Sequence, residues 1–156
     1  MPEIPYSWLE GQLDCYTIAD LQAMPDADLN ALAADLRGWV LRTEKYQIGE
    51  PVIESGVLQD YVADDGRTMS AVADWSPCLD RNQSGKLLRH AEKQDIQFVV
   101  NFLNKMGASI HWRGDYGFWN YVSGNDARAE TIAFCAAMLA TEGRLASDIS
   151  TTTRTP

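Results

Sequence analysis

No lysine or arginine occurs before Arg37 in this 156-residue chain, whereas Glu3, Glu10, Asp14, Asp20, Asp26, Asp28 and Asp35 all do. Residues 1–80 hold 15 Asp and Glu against Arg37, Arg42, Lys45 and Arg67; residues 81–156 hold seven acids against nine bases, and the net charge is −9. A field this one-sided repels nucleic acid and anionic lipid and steers the chain toward basic surfaces, so direct nucleic-acid binding is not expected. Long apolar runs are missing too. None approaches the ~20 residues of a membrane helix, so no membrane partner is expected. The opening MPEIPYSWLEGQ has neither a basic leader nor an apolar core and does not read as a signal peptide. Cysteine is scarce: Cys15, Cys78 and Cys135 are widely spaced, with no CxxC pair. An odd count without a leader points to thiols rather than disulfides and to a reducing cytoplasm. Only His90 and His111 could join them as metal ligands, and neither lies at zinc spacing, so no metal or other cofactor is expected.

What is present suffices for a core. The composition is 46% hydrophobic and 10% aromatic, and the length fits one compact domain. Residues 1–16, with Trp8, Leu9, Leu13 and Tyr16 among acids, read as an N-terminal arm. Residues 17–145 read as a single α+β domain and 146–156 as a flexible tail. Ile18 to Met24 fits a helical turn. Pro25 restarts the chain, Asp26 and Asp28 fall in the first turn of the next helix, and Leu29, Leu32, Ala33 and Leu36 recur at helical spacing. Residues 41–75 read as extended pieces and turns, with Asp65-Gly66 as a hairpin signal. Residues 80–93 place Leu87, Leu88 and Ala91 on one helical face. Ile96, Val99, Val100 and Leu103 then recur at i, i+3, i+4 and i+7, which predicts a helix capped by Asp95 and closed by Gly107. The same run alternates through Ile96, Phe98, Val100 and Phe102, so a strand is the alternative; length and the Asn104–Gly107 ending favour the helix. Ala108–Arg113 and Phe118–Val122 around Gly114–Gly117 form the clearest hairpin. Ser123–Asp126 is a turn into the final helix, Ala127 to Glu142, which Gly143 closes. The expected fold is α+β, with helices packed on a small antiparallel sheet as a helix–sheet–helix sandwich.

Several segments resemble a known group. Leu13–Leu36 followed by Gly38-Trp39 is similar to the opening of the NinX-like and phage ABA-sandwich proteins, a short turn and then a Leu/Ala helix ending in Gly-Trp. Trp75-Ser76-Pro77, Asp80 and Gln83–Leu88 resemble that group's tryptophan–proline segment. Trp112, Phe118 and Trp119 resemble its aromatic hairpin, and Ala129–Ala140 its closing small-residue helix. The likeness spans roughly residues 13–142. The middle section here is longer and more acidic, and Gly85-Lys86 stands where the group has a Gly-Pro step. The resemblance implies a helix–sheet–helix sandwich, a host cytoplasm and a non-structural phage product. It implies no shared reaction.

Two surfaces are candidate sites. One is acidic: Asp26, Asp28, Asp35, Asp64 and Asp65 could present carboxylates where a basic partner normally meets phosphates, or could form a solvated, solubilising face. Asp28 and Asp35 lie two turns apart, on one helix face. The other is the aromatic hairpin, with His111, Trp112, Asp115, Tyr116, Phe118 and Trp119 within nine residues. Alternate strand residues face opposite ways, so Phe118 and Trp119 cannot share one core. Trp112, Asp115, Tyr116 and Trp119 are expected to anchor a partner unless both faces of the sheet are covered. Arg81, Lys86, Arg89, His90 and Lys93 form a basic helical patch, read as an exposed face. Nucleophile-elbow, phosphate-loop and HExxH motifs are all absent, and no catalytic residue is assigned. The expectation is a small acidic phage or prophage accessory protein, not an enzyme. It would bind and inhibit a host protein with a basic or nucleic-acid-binding surface, for example a defence system such as a CRISPR effector. The alternative is a small-molecule or nucleotide binder that sequesters or cleaves a signalling ligand. The oligomeric state does not follow from the sequence.

Overall fold

The structure is a computed structural model that describes residues 15–105, 107–114 and 117–146. Among these, four helices and two three-stranded antiparallel sheets form an α+β fold. Helix α1 spans Ile18–Ala23, and Thr17 caps it in a reciprocal box with Asp20. Helix α2 spans Asp26–Leu36 behind Pro25, whose fixed φ suits a helix start. The first sheet follows, with strands β1 Val40–Ile48, β2 Glu54–Val62 and β3 Thr68–Ala71 in that order. After a single 3-10 turn at Val72–Asp74 come helix α3, Arg81–Glu92, and the second sheet: β4 Gln97–Asn104, β5 Gly107–Arg113 and β6 Asn120–Ser123. Helix α4, Ala127–Thr141, closes the fold, with Asp126 accepting from the Ala129 amide as its cap.

Helix α4 is the centre of the molecule. Its residues 129–139 are all buried, and all but Glu130 and Thr131 of them are apolar, the pattern of a helix with no solvent face over that stretch. Helices α1, α2 and α3 pack on it, and β5 and β6 lie against another side. Ile110, Trp112 and Val122 turn inward from the second sheet to meet it.

The first sheet is tied to this body at its base alone. The Trp39 ring meets Trp75 at 4.7 Å and Tyr61 at 6.2 Å. The Trp75 indole donates to the Asn30 carbonyl at 2.7 Å, and the Asn30 side chain accepts from the Cys78 amide. Gln83 on α3 accepts from the Ser76 amide and donates to the Asp74 carbonyl, both at 2.7 Å. The tryptophan–proline segment is thus a clasp between α2 and α3. Beyond the Arg42–Asp60 pair the β1–β2 hairpin has no buried residue, and Val57, Leu58 and Ile53 are exposed. Tyr46 lies flat across Gly56 on the facing strand; a Cβ there would come within 2.8 Å of the ring.

The helix expected over residues 96–103 is a strand, β4, and the reason is a bulge. Val99 faces His111 and Phe102 faces Ser109, so two residues, Val100 and Asn101, stand opposite one, Ile110. Asn101 takes a left-handed φ of 63° to allow it. The extra residue makes same-face positions three apart, Val99 to Phe102 and Val100 to Leu103, which imitates helical spacing. Asp95 is not a cap either, since it sits at φ 64° in the turn before β4. Gly107, at φ 114°, turns β4 into β5. One small sheet was expected and two are present.

Tyr16 and Ala146, read as the arm's last residue and the tail's first, both belong to the body. Tyr16 bridges to Leu145, with hydrogen bonds of 2.8 Å from the Tyr16 amide to Arg144 and 2.7 Å from the Ala146 amide to Tyr16. Residues 1–14 of the arm and 147–156 of the tail lie outside the described residues, as do Asp115 and Tyr116.

Candidate functional site

The second sheet has one inner and one outer face. Because Trp112, Ile110 and Val122 point inward, His111 and Tyr121 must point out. Among the described residues no helix covers that outer face. Val99 is 40%, Phe102 44% and Tyr121 60% exposed. Their rings form a row: Phe102 to His111 at 4.6 Å, then His111 stacked on Tyr121 at 5.5 Å. At the end of the row the Arg113 guanidinium lies 4.8 Å over the Trp119 ring while its Nε donates to Gln97 at 2.9 Å. Trp119 is 45% exposed and Phe118 92%. The aromatics are therefore held by one another rather than by the core.

Around the β6 edge this face runs into a groove of about 550 Å³. Trp119, Tyr121 and Val122 line one side, and Ile18, Gln22, Leu145 and Ala146 the other. Strand β6 is last in its sheet, so its outer main-chain groups face the groove without a strand partner. Trp112 closes the floor with its indole N–H buried and without an acceptor among the described residues.

The expected anchors divide. Trp112 is 3% exposed on the inner face and is not a surface residue, which corrects its assignment as an anchor. Trp119 is at the surface. Asp115 and Tyr116 fall outside the described residues. Val99, Phe102 and Tyr121 were not expected in a site: the bulge in β4 brings the first two to this face, and Tyr121 follows from the alternation Trp119, Tyr121.

The acids divide as well. Asp26 is not available for docking. It is half-buried and bound to the Arg128 guanidinium, which also donates to the Gln22 and Met24 carbonyls at 2.9 and 2.7 Å. Asp65 accepts from the Arg67 amide at 3.0 Å and lies 4.0 Å from its guanidinium. Asp28, Asp35 and Asp64 are exposed with no ion pair among the described residues. Asp35 and Asp64, distant in sequence, line one hollow. Arg81, placed in the basic patch, is used internally: it donates at 3.3 Å to Glu130, a carboxylate on α4 that also accepts from Ser84 at 3.0 Å.

The chemistry of catalysis is thinly represented. Ser109 Oγ and His111 Nε2 are 3.0 Å apart, but no carboxylate among the described residues orients the imidazole, and Ser109 is 6% exposed. No metal-binding cluster occurs among the described residues, and no helix among them is long and apolar enough to cross a membrane. Burial raises the Cys78 thiol to about 11 and pushes Cys135 up further still, so both are inert, whereas Cys15 is exposed. A thiol reagent at neutral pH is expected to label Cys15 at once and the other two only in denaturant; rapid labelling of all three in the native protein contradicts the burial of Cys78 and Cys135.

Scanned against protein-family models, curated proteins and solved structures, the chain matches none.

Proposed function

We propose that the protein is a binding module that docks on another protein through the outer face of β4–β6 and the β6-edge groove. The observation that carries this is the exposed row Val99, Phe102, Tyr121 and Trp119 on a sheet whose opposite face turns Ile110, Trp112 and Val122 into the core beside α4. Tyr and Trp supply large contact area with few torsions to freeze, which makes such rows effective anchors. The exposed Asp28, Asp35 and Asp64, with the net charge of −9, suit a partner whose surface is basic.

The resemblance to phage accessory proteins supplies the biological setting: a host protein that handles nucleic acid, bound and inhibited during infection, with a defence nuclease as the first to test. Capture from bacterial lysate on the immobilised protein is expected to retain a basic partner at about 50 mM salt and lose most of it at about 500 mM, as screening shortens the reach of the acidic field. A Trp119→Ala, Tyr121→Ala double variant is expected to retain none. Equal capture by the double variant places docking elsewhere.

A further inference from the structure

The most concentrated positive charge on this acidic molecule lies where α2 ends against α3. Lys86, Arg89 and His90 on α3 and Lys93, its C-cap, follow at i, i+3, i+4 and i+7 and share one face. Arg37, the residue that caps α2, reaches in from the other side. Together these five side chains, and no carboxylate, line a hollow of about 250 Å³. None of the four permanent cations has an ion pair among the described residues, although the chain carries 22 acids for 13 bases. Arg37 is held rigidly, with its guanidinium 4.4 Å over the Trp39 ring. Its Nε is buried and finds no acceptor among the described residues. Like charges brought together in this way oppose folding unless something anionic joins them.

A second hollow of about 260 Å³ adjoins the first and shares Arg37 and Lys86 with it. Its other walls are Trp39, Trp75, Met69, Ser70 and Gln83. Each hollow alone falls short of the roughly 300 Å³ at which ligand sites begin; joined across the two shared residues they reach it. One half offers indole and thioether, the other only N–H donors. On the far side of Arg37 and His90, Asp35, Asp64 and Glu142 line a separate hollow and would turn a phosphate back toward α3.

We infer that this junction binds a nucleoside monophosphate, with the phosphate among Arg37, Lys86, Arg89 and Lys93 and the base against Trp39, Trp75 and Met69. The site is separate from the proposed docking face and does not depend on it. Point-charge lysines and a fixed guanidinium suit a phosphate dianion, and indole walls accept the flat face of any base.

Isothermal titration of the full chain with the four ribonucleoside monophosphates, adenosine and inorganic phosphate tests the assignment. At least one monophosphate is expected to bind about tenfold or more tightly than either adenosine or phosphate, because both halves of the site are then engaged. Lys86→Ala, Arg89→Ala and Lys93→Ala combined are expected to weaken it about tenfold or more at a melting temperature no lower than the native chain's, since all three side chains are exposed and their mutual repulsion is removed. Trp119→Ala, on the other face, is expected to leave it intact, which keeps this result distinct from the docking reading. The inference is overturned if no monophosphate binds at about 1 mM, where even a weak site would register. It is equally overturned if the triple variant binds as well as the native chain, or if phosphate alone binds as tightly. Tighter binding of a single-stranded oligonucleotide than of any monophosphate would also overturn it, by making the junction a nucleic-acid contact.

Discussion

Replacing Phe134 by alanine is expected to lower the unfolding free energy by about 3–5 kcal/mol. Phe134 is the largest of the fully buried side chains, at 0% exposure in the middle of α4. Its ring meets the His90 ring edge-on at 6.3 Å, so it also joins α4 to α3. Truncation loses the transfer free energy of the ring and leaves a cavity that neighbours on three helices and a sheet cannot all close. A domain of this size has about 5–15 kcal/mol in hand, so the loss is a large fraction of the whole. The comparison that makes the prediction sharp is Phe102→Ala. Phe102 is 44% exposed on the outer sheet face, where water fills whatever the ring leaves, and the cost should stay near 1 kcal/mol. Urea titration followed by tryptophan fluorescence separates the two. Comparable losses for both variants would mean that the outer face is covered after all, and that α4 is not the single centre of the fold.

The division between inner and outer is where the sequence stopped being legible. Helices α2 and α4 could be read because their signals are local: Pro25 with Asp26 and Asp28 at one start, Asp126 at the other, Gly143 at the end, and Leu29, Ala33 and Leu36 at fixed spacing. The β5–β6 hairpin was legible for the same reason. Strand β4 was not, because its bulge changes the spacing of same-face residues from two to three and no property of Val100 or Asn101 announces it. Trp112 and Trp119 were equally good anchors by composition; only the register of β5 against β6 sends one inward and leaves the other out. Asp26 lost its place among the docking acids to Arg128, 102 residues away, and Arg37 joined the α3 basic face from outside it. Pairings across such separations are set by how the layers stack, and single-residue chemistry contains none of that information.

The docking face allows the second large effect to be split into two kinds. Removing Trp119 and Tyr121 together is expected to cost about 3 kcal/mol of binding to the captured partner, roughly a hundredfold in Kd, and to appear almost entirely as faster dissociation. The reasoning is geometric. Trp119 is half-exposed with one face supported by Arg113, and Tyr121 is held by the stacked His111, so both rings are fixed before a partner arrives. Pre-fixed rings lose little entropy on contact, and truncation removes area that the partner has already desolvated. Arg113→Ala should reproduce part of this loss by freeing Trp119, although Arg113 need not touch the partner. The acids should behave differently. Asp28→Asn, Asp35→Asn and Asp64→Asn together remove three exposed charges from a surface that steers approach, so association slows severalfold at low salt while dissociation barely changes. Surface plasmon resonance at two salt concentrations reads both constants. If the aromatic variants altered association alone, or the asparagine variants altered dissociation alone, the row of rings would not be the contact surface and the carboxylates would be touching the partner directly. Since none of these side chains belongs to the α4 core, thermal melts of all three variants should stay within a few degrees of the native curve, far above that of Phe134→Ala.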